Sequence, residues 1–236
     1  MNYHNTTAII TGGTGALGRR VVEKFFAAGA NIAIPVRSKS AADSLPAGLQ
    51  SSERLALVEA DVSDEVSVKE FVAHVMKKFG RVDFLVNLAG GYAGGKPIAD
   101  VSLQEWEGML ELNLKTAFLM SRETLAPMLK QKFGRIITIA AMPAITSGAK
   151  KGPYAIAKRG VIALTETIAD EVKGSGVTAN AIAPSIIATD ANKASMPDAD
   201  FRRWVEPDEL ADLVLFLCSD AARSINGNTI KVFGGV

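Results

Sequence analysis

Thr7-Ala8-Ile9-Ile10-Thr11-Gly12-Gly13-Thr14-Gly15-Ala16-Leu17-Gly18 decides how the rest of the chain is read. Ala8-Ile9-Ile10 is a short apolar run of strand type. Gly18 to Ala28 carries Val21, Val22, Phe25 and Phe26 on one helical face. Between them, Gly13-x-Gly15-x-x-Gly18 satisfies the glycine pattern of a strand–turn–helix that receives a pyrophosphate. The glycines permit a tight turn and a close backbone approach, and the helix start offers unpaired N–H groups at its positive dipole end. Gly12, Thr14, Gly15, Ala16, Leu17 and Gly18 are therefore the expected phosphate-side contacts of a dinucleotide.

Outward from this turn, apolar runs alternate with helical stretches. Asn31 to Val36, Ala56 to Glu59, Phe84 to Val86, Arg135 to Ile139, Thr178 to Ala183 and Thr229 to Val232 read as strands. Most are apolar at consecutive positions, as parallel strands covered on both faces should be. Val66 to Phe79, introduced by Ser63-Asp64 and stopped by Gly80, reads as a helix, as do Ser102 to Leu129, Pro153 to Lys173 and Pro207 to Ser219. The alternation predicts an α/β class, three-layer Rossmann fold: a doubly wound, parallel, seven-stranded sheet with right-handed crossovers. Residues 1–236 read as a single domain, and Ser185 to Arg203 as an irregular, mobile insert that covers the substrate.

Composition narrows the function. Hydrophobic residues at 48% against 22% charged supply a core, and 26 Lys and Arg against 25 Asp and Glu leave a net charge of +1. That balance gives no drive toward nucleic acid or an anionic membrane. Cys218 is the sole cysteine, which excludes an internal disulfide and fits a reducing compartment. Met1-Asn2-Tyr3-His4-Asn5 lacks the basic and apolar regions of a signal peptide, and no apolar run reaches membrane-spanning length. A cytoplasmic protein is expected. His4 and His74 have no acid or cysteine at ligand spacing and read as surface residues, so no metal site is expected. Trp106 and Trp204 read as packing residues, with Trp204 also placed to close a lid.

The glycine turn leaves open which nicotinamide cofactor it serves. An NAD site uses an acid about twenty residues on, at the end of the second strand, to hold the ribose hydroxyls. Here that place reads Val36-Arg37-Ser38-Lys39. A guanidinium fits a 2′-phosphate by charge and fork geometry, so Arg37 and Ser38 favour NADP(H), with NAD(H) the alternative.

Together with further motifs, these residues resemble the short-chain dehydrogenase/reductase family over nearly the whole chain. Asp61-Val62 follows the third strand, where the resemblance implies an adenine contact. Asn87-Leu88-Ala89-Gly90 is similar to the family's Asn-Asn-Ala-Gly stretch and implies cofactor contacts at Asn87, Ala89 and Gly90. Asn113 matches the helical Asn that supports a proton-relay water. Tyr154-Ala155-Ile156-Ala157-Lys158 is the Tyr-x-x-x-Lys element. Asn180 to Ser185, then Ile187 and Thr189, resembles the segment that flanks the nicotinamide, with Pro184, Ile187 and Thr189 as contacts and Ser185 where Gly is usual. The resemblance also implies a homotetramer, or a homodimer, built on the two long helices and the Ile230 to Val236 tail.

The Tyr/Lys chemistry has its own physical basis. Residues i and i+4 share a helix face, so Tyr154 and Lys158 project together. A phenol with a pKa of about 10 is a poor base at neutrality. A neighbouring ammonium and the cationic ring of an oxidised nicotinamide are expected to pull it down. The same phenol can give its proton to a carbonyl oxygen as hydride reaches carbon. Asn113, Tyr154 and Lys158 are thus the catalytic set, with Tyr154 and Lys158 also touching cofactor.

One position departs from the pattern. The family usually carries a Ser thirteen positions before the Tyr, and here that position is Ala141. Alanine can neither donate nor accept the hydrogen bond to the reacting oxygen, a loss worth on the order of 10²-fold in rate. Thr138, Thr146 or Ser147 could replace the hydroxyl. Alternatively, the substrate needs none. Quinonoid dihydropteridine reductases also lack it, and Ala89-Gly90-Gly91-Tyr92-Ala93-Gly94-Gly95 is similar to theirs. A third reading is a dinucleotide-binding regulatory protein with little turnover. Ala141, Met142 and Tyr92 are placed to line the substrate pocket. The expectation is an NAD(P)H-dependent oxidoreductase that reduces a small carbonyl or imine-like substrate.

Overall fold

The computed structural model describes residues 2–236, and Met1 lies outside it. Seven parallel strands form one sheet in the order β3-β2-β1-β4-β5-β6-β7. They are β1 (Thr7–Thr11), β2 (Asn31–Val36), β3 (Leu55–Glu59), β4 (Phe84–Asn87), β5 (Gly134–Ile139), β6 (Val177–Pro184) and β7 (Thr229–Val232). The chain leaves β1 first toward β2 and later returns to its other side at β4. This reversal opens a crevice at the carboxyl ends of β1 and β4.

The consecutive apolar residues divide between the two faces of the sheet as the pleat requires. Ala8, Ile10, Ile32 and Ile34 pack with Val22 and Phe25 of α1 (Ala16–Ala27) and with Leu210 and Val214. Ile9, Ala33, Leu85 and Ile136 pack on the other side with Phe71, Val75, Leu119 and Met120. Ile9 and Ile10 are fully buried, so either one truncated to Ala costs about 2–5 kcal/mol. The remaining helices are α2 (Ala47–Gln50), α3 (Glu65–Phe79), α4 (Leu103–Leu110), α5 (Thr116–Gln131), α6 (Pro143–Thr146), α7 (Gly152–Glu171), α8 (Asp190–Ser195) and α9 (Pro207–Cys218). Asp64 caps α3 by accepting from the Ser67 N–H at 2.8 Å, and Gly80 ends it at φ 76°. Cys218 is fully buried, and that burial pushes its thiol pKa up.

Two expectations from sequence need correction. The stretch from Ser102 to Leu129 is not one regular helix. α4 and α5 are joined by a π turn at Glu111–Lys115, a widened turn that swings Asn113 inward. The apolar spacing continues through the turn, which hides it from a periodicity reading. The Ser185 to Arg203 segment is likewise not irregular. Thr189 caps α8 by accepting from the Asn192 N–H at 3.2 Å, Ile187 bridges to Val205, and a short turn follows at Phe201–Arg203. Trp204 is buried against Phe201, their rings 4.8 Å apart, as a packing residue. Among the described residues no helix is long and apolar enough to cross a membrane.

Candidate active site

Register brings the site together. Thr11 pairs with Asn87, Asn87 with Thr138 and Thr138 with Ala181, a row that aligns the carboxyl ends of four strands. Thr11 Oγ1 accepts from the N–H groups of both Leu88 and Ala89 at 3.0 Å, pinning the loop after β4 to the end of β1. Over this edge lie two cavities of about 600 and 530 Å³, and Gly12 and Gly90 line both.

The first cavity holds the residues expected on the adenosine side. Thr14, Arg37, Ser38, Asp61, Val62 and Ala89 line it with the two shared glycines. Asp61 accepts from the Ser63 N–H at 2.8 Å and the Ser63 hydroxyl at 2.7 Å. These bonds, then Arg37 and Lys115, hold its carboxyl below the usual range. Arg37 is exposed and makes no ion pair among the described residues, which leaves its charge for a ligand.

The turn itself tests whether a dinucleotide fits. A Cβ on Gly18 would sit 2.0 Å from the Gly12 carbonyl oxygen, and one on Gly13 would meet Ile34 at 3.0 Å. Only glycine lets α1 start this close to the strand. Gly15 precedes α1 with no side-chain cap, and its first turn holds no acid. The free N–H groups there therefore face the cleft with no competing anion. The residues fit a pyrophosphate.

The second cavity gathers Gly15, Ala16, Leu17 and Gly18 on one side with Tyr154, Lys158, Pro184, Ile187 and Thr189 on the other. Tyr92, Ala141 and Met142 complete part of its wall. Lys158 is buried and its Nζ donates to the Ile139 carbonyl at 2.8 Å. Burial lowers its pKa to about 8. This lysine and the ring of an oxidised nicotinamide are together expected to pull the Tyr154 phenol down, and without cofactor the phenol lies higher instead. Burial, then Tyr92, pushes Tyr154 up to about 12, while the Lys158 Nζ lies 6.0 Å from the Tyr154 ring centroid and serves Ile139. A phenol held at that value stays protonated at neutrality, the state a proton donor needs.

Asn87 and Asn113 stand behind the lining. Asn87 is buried, with its amide donating to Ser121 Oγ at 3.2 Å and its Oδ1 lacking a partner among the described residues. The Asn113 amide donates to the Gly91 carbonyl at 3.0 Å while its Oδ1 accepts from the Gly91 N–H at 3.2 Å. Gly90 is wedged between Asn113 and Lys158. A Cβ there would lie 2.6 Å from Asn113 Oδ1 and 3.2 Å from Lys158 Nζ.

None of the hydroxyls suggested in place of the missing serine reaches the cavity. Thr138 is buried and bonded to Thr165 at 2.7 Å, Thr146 bonds the Met142 carbonyl at the surface, and Ser147 is exposed. Among the lining hydroxyls, Ser185 donates to the Phe233 carbonyl at 2.8 Å and Thr189 caps α8. Tyr92 and Tyr154 remain. The sequence reading missed Lys151, Asn192 and Met196, which also line this cavity. Lys151 could have been found, since it precedes Tyr154 by three residues; nothing in sequence pointed to the other two.

Comparison with known proteins settles the family. A family model described as Enoyl-(Acyl carrier protein) reductase matches residues 13–236. The chain belongs to the short-chain dehydrogenase/reductase family. Relatives in this family match end to end. The 3-oxoacyl-[acyl-carrier-protein] reductase of Synechocystis sp. is 34% identical over 237 residues, covering 97% of this chain and 96% of that protein. The 3-oxoacyl-[acyl-carrier-protein] reductase FabG of Escherichia coli is 31% identical over 244 residues, covering 100% and 99%. The crystal structure of levodione reductase superposes with a TM-score of 0.90 at 29% identity, over 99% of this chain and 98% of that one. A short-chain dehydrogenase/reductase with this site is an oxidoreductase that uses a nicotinamide dinucleotide.

Proposed function

We propose that the protein is an NADPH-dependent reductase of a small carbonyl substrate, with Tyr154 as proton donor. The observation that carries this reading is the second cavity, where Tyr154 and Lys158 face the glycine turn across one cleft. The relatives' names, 3-oxoacyl reductase and levodione reductase, favour a carbonyl over a quinonoid pteridine and an enzyme over a regulatory binding protein.

The cofactor when bound supplies hydride. The residues of the chain do the rest. Gly12 to Gly18 take the pyrophosphate on backbone N–H groups, Asp61 and Val62 take the adenine, and Arg37 and Ser38 the 2′-phosphate. Lys158, with Thr189, Ile187 and Pro184, orients the nicotinamide half, and Asn87 and Asn113 support the floor. Tyr154 Oη gives its proton to the carbonyl oxygen. The whole chain acts as one domain in which α8 and its flanks cover the substrate. We further read it as a cytoplasmic homotetramer, or a homodimer, since Phe118 and Ile156 of α5 and α7 stay exposed in one chain.

NADPH oxidation across a panel of ketones and quinonoid pterins tests this reading. Ketone turnover is expected, with most of it lost in Tyr154→Phe while cofactor affinity is kept. Tight cofactor binding with no turnover of any panel member would overturn it.

A further inference from the structure

Among the residues lining the second cavity, only Lys151 and Lys158 are charged, and no acid is present. The Lys158 ammonium is committed to the Ile139 carbonyl. Lys151 makes no ion pair or side-chain hydrogen bond among the described residues. Lys96, which lines a neighbouring cavity, is paired with Glu105 at 2.5 Å.

The position of Lys151 is fixed by backbone. The Lys150 carbonyl accepts from the Gly95 N–H at 2.7 Å, and the Lys151 carbonyl accepts from the Ala155 N–H at 2.8 Å. Lys151 thus opens α7 one turn before Tyr154, or about 5 Å along the axis. Much of the wall around it is apolar or neutral: Ala141, Met142, Pro143, Tyr92 and Met196. A charge pair in such surroundings is screened less than in water, whereas a neutral ligand would cover the ammonium without giving it a partner.

We propose that Lys151 binds a carboxylate of the substrate, so that the enzyme reduces small oxo acids. This rests on the carbonyl-reductase reading and narrows it. The carboxylate takes no part in the bond changes: hydride reaches the carbonyl carbon, the oxygen takes the Tyr154 proton, and the acid end stays ionised against Lys151. A lysine offers a point charge rather than a fork, which suits a carboxylate approached from one side.

Acetoacetate and 4-oxopentanoate, each paired with its methyl ester, and an acetoacetyl thioester provide the test. With NADPH as reductant, the acids are expected to exceed their esters in kcat/KM by about tenfold or more. That ratio collapses toward one in Lys151→Met and persists in Lys151→Arg. Calorimetry with saturating NADP+ reads binding without turnover, and the acids should weaken about tenfold or more in Lys151→Met. Esters or the thioester reduced as fast as the acids, or an unchanged ratio in Lys151→Met, would overturn the anion site and leave the reductase standing. Charge-dependent acid binding with no turnover of any carbonyl would uphold the anion site and overturn the reductase.

Discussion

The Tyr92 ring stands edge-on to that of Tyr154, centroids 5.0 Å apart and planes at 89°. This contact puts a second phenol beside Tyr154 in the cavity, where Ser185 donates to the Phe233 carbonyl and Thr189 accepts at the α8 cap. Tyr92→Phe keeps the edge contact and removes only the hydroxyl. We expect kcat to fall on the order of tenfold with little change in KM, the pattern of an interaction made in the transition state. Steady-state kinetics on one ketone decide it; an unchanged kcat would remove the Tyr92 hydroxyl from the reaction.

Ala141→Ser restores the hydroxyl at the usual family position. Ala141 is buried with its Cβ already at the wall, so one added oxygen asks for little room. We expect kcat to rise, by more in the Tyr92→Phe background than in the parent if the two hydroxyls substitute for each other. A double-mutant cycle measures that coupling, and strict additivity would show that the two act independently.

Arg37→Ala should raise the KM for NADPH about tenfold or more while leaving that for NADH nearly unchanged, because only one cofactor carries the 2′-phosphate. Equal losses on both cofactors would assign Arg37 to the adenosine in general.

Lys158 gives a pH-dependent stability with a definite sign. Its folded pKa of about 8 lies below the ordinary lysine value of 10.5, so the unfolded chain holds the proton more tightly. Burial of the ammonium therefore destabilises the cofactor-free protein fully below pH 8, and the penalty fades between about pH 8 and 10.5. It amounts to about 3 kcal/mol. Lys158→Met removes it at the loss of one hydrogen bond worth about 1 kcal/mol. Without cofactor, this variant should melt several degrees higher than the parent at pH 7, with the gap narrowing toward pH 10. A variant that melts lower at pH 7 would contradict the assignment.

Much of the fold was legible because Ile9 and Ile10, or Ile32 to Ile34, can sit side by side only in a strand covered on both faces. Strand ends were within a residue or two, and Asp64 and Gly80 marked α3 correctly through cap chemistry. The π turn at Glu111–Lys115 was not legible, since it leaves the apolar spacing intact. The helix α8 was hidden in a short polar stretch whose only marker is a threonine cap. At the site, type and spacing pointed to Arg37, Asp61, Tyr154 and Lys158, and the fold places all four on the walls of the two cavities. The raised pKa of Tyr154 in the cofactor-free chain was not legible, because it depends on burial and on where the Lys158 ammonium points, and neither is written in the spacing. Lys151 carried one signal, its place three residues before Tyr154, but a lysine there looks like any solvated charge until the cavity is seen.

The absence of a side chain at Gly90 has a consequence for how such an enzyme can change. Met142 and Lys151 occupy cavity wall, so what the cavity accepts is free to drift with them. Gly90 cannot drift with them. One added methyl group would press on Asn113 and Lys158 together, so a hydrogen atom acts as the spacer that keeps these two side chains in place while their surroundings are rewritten.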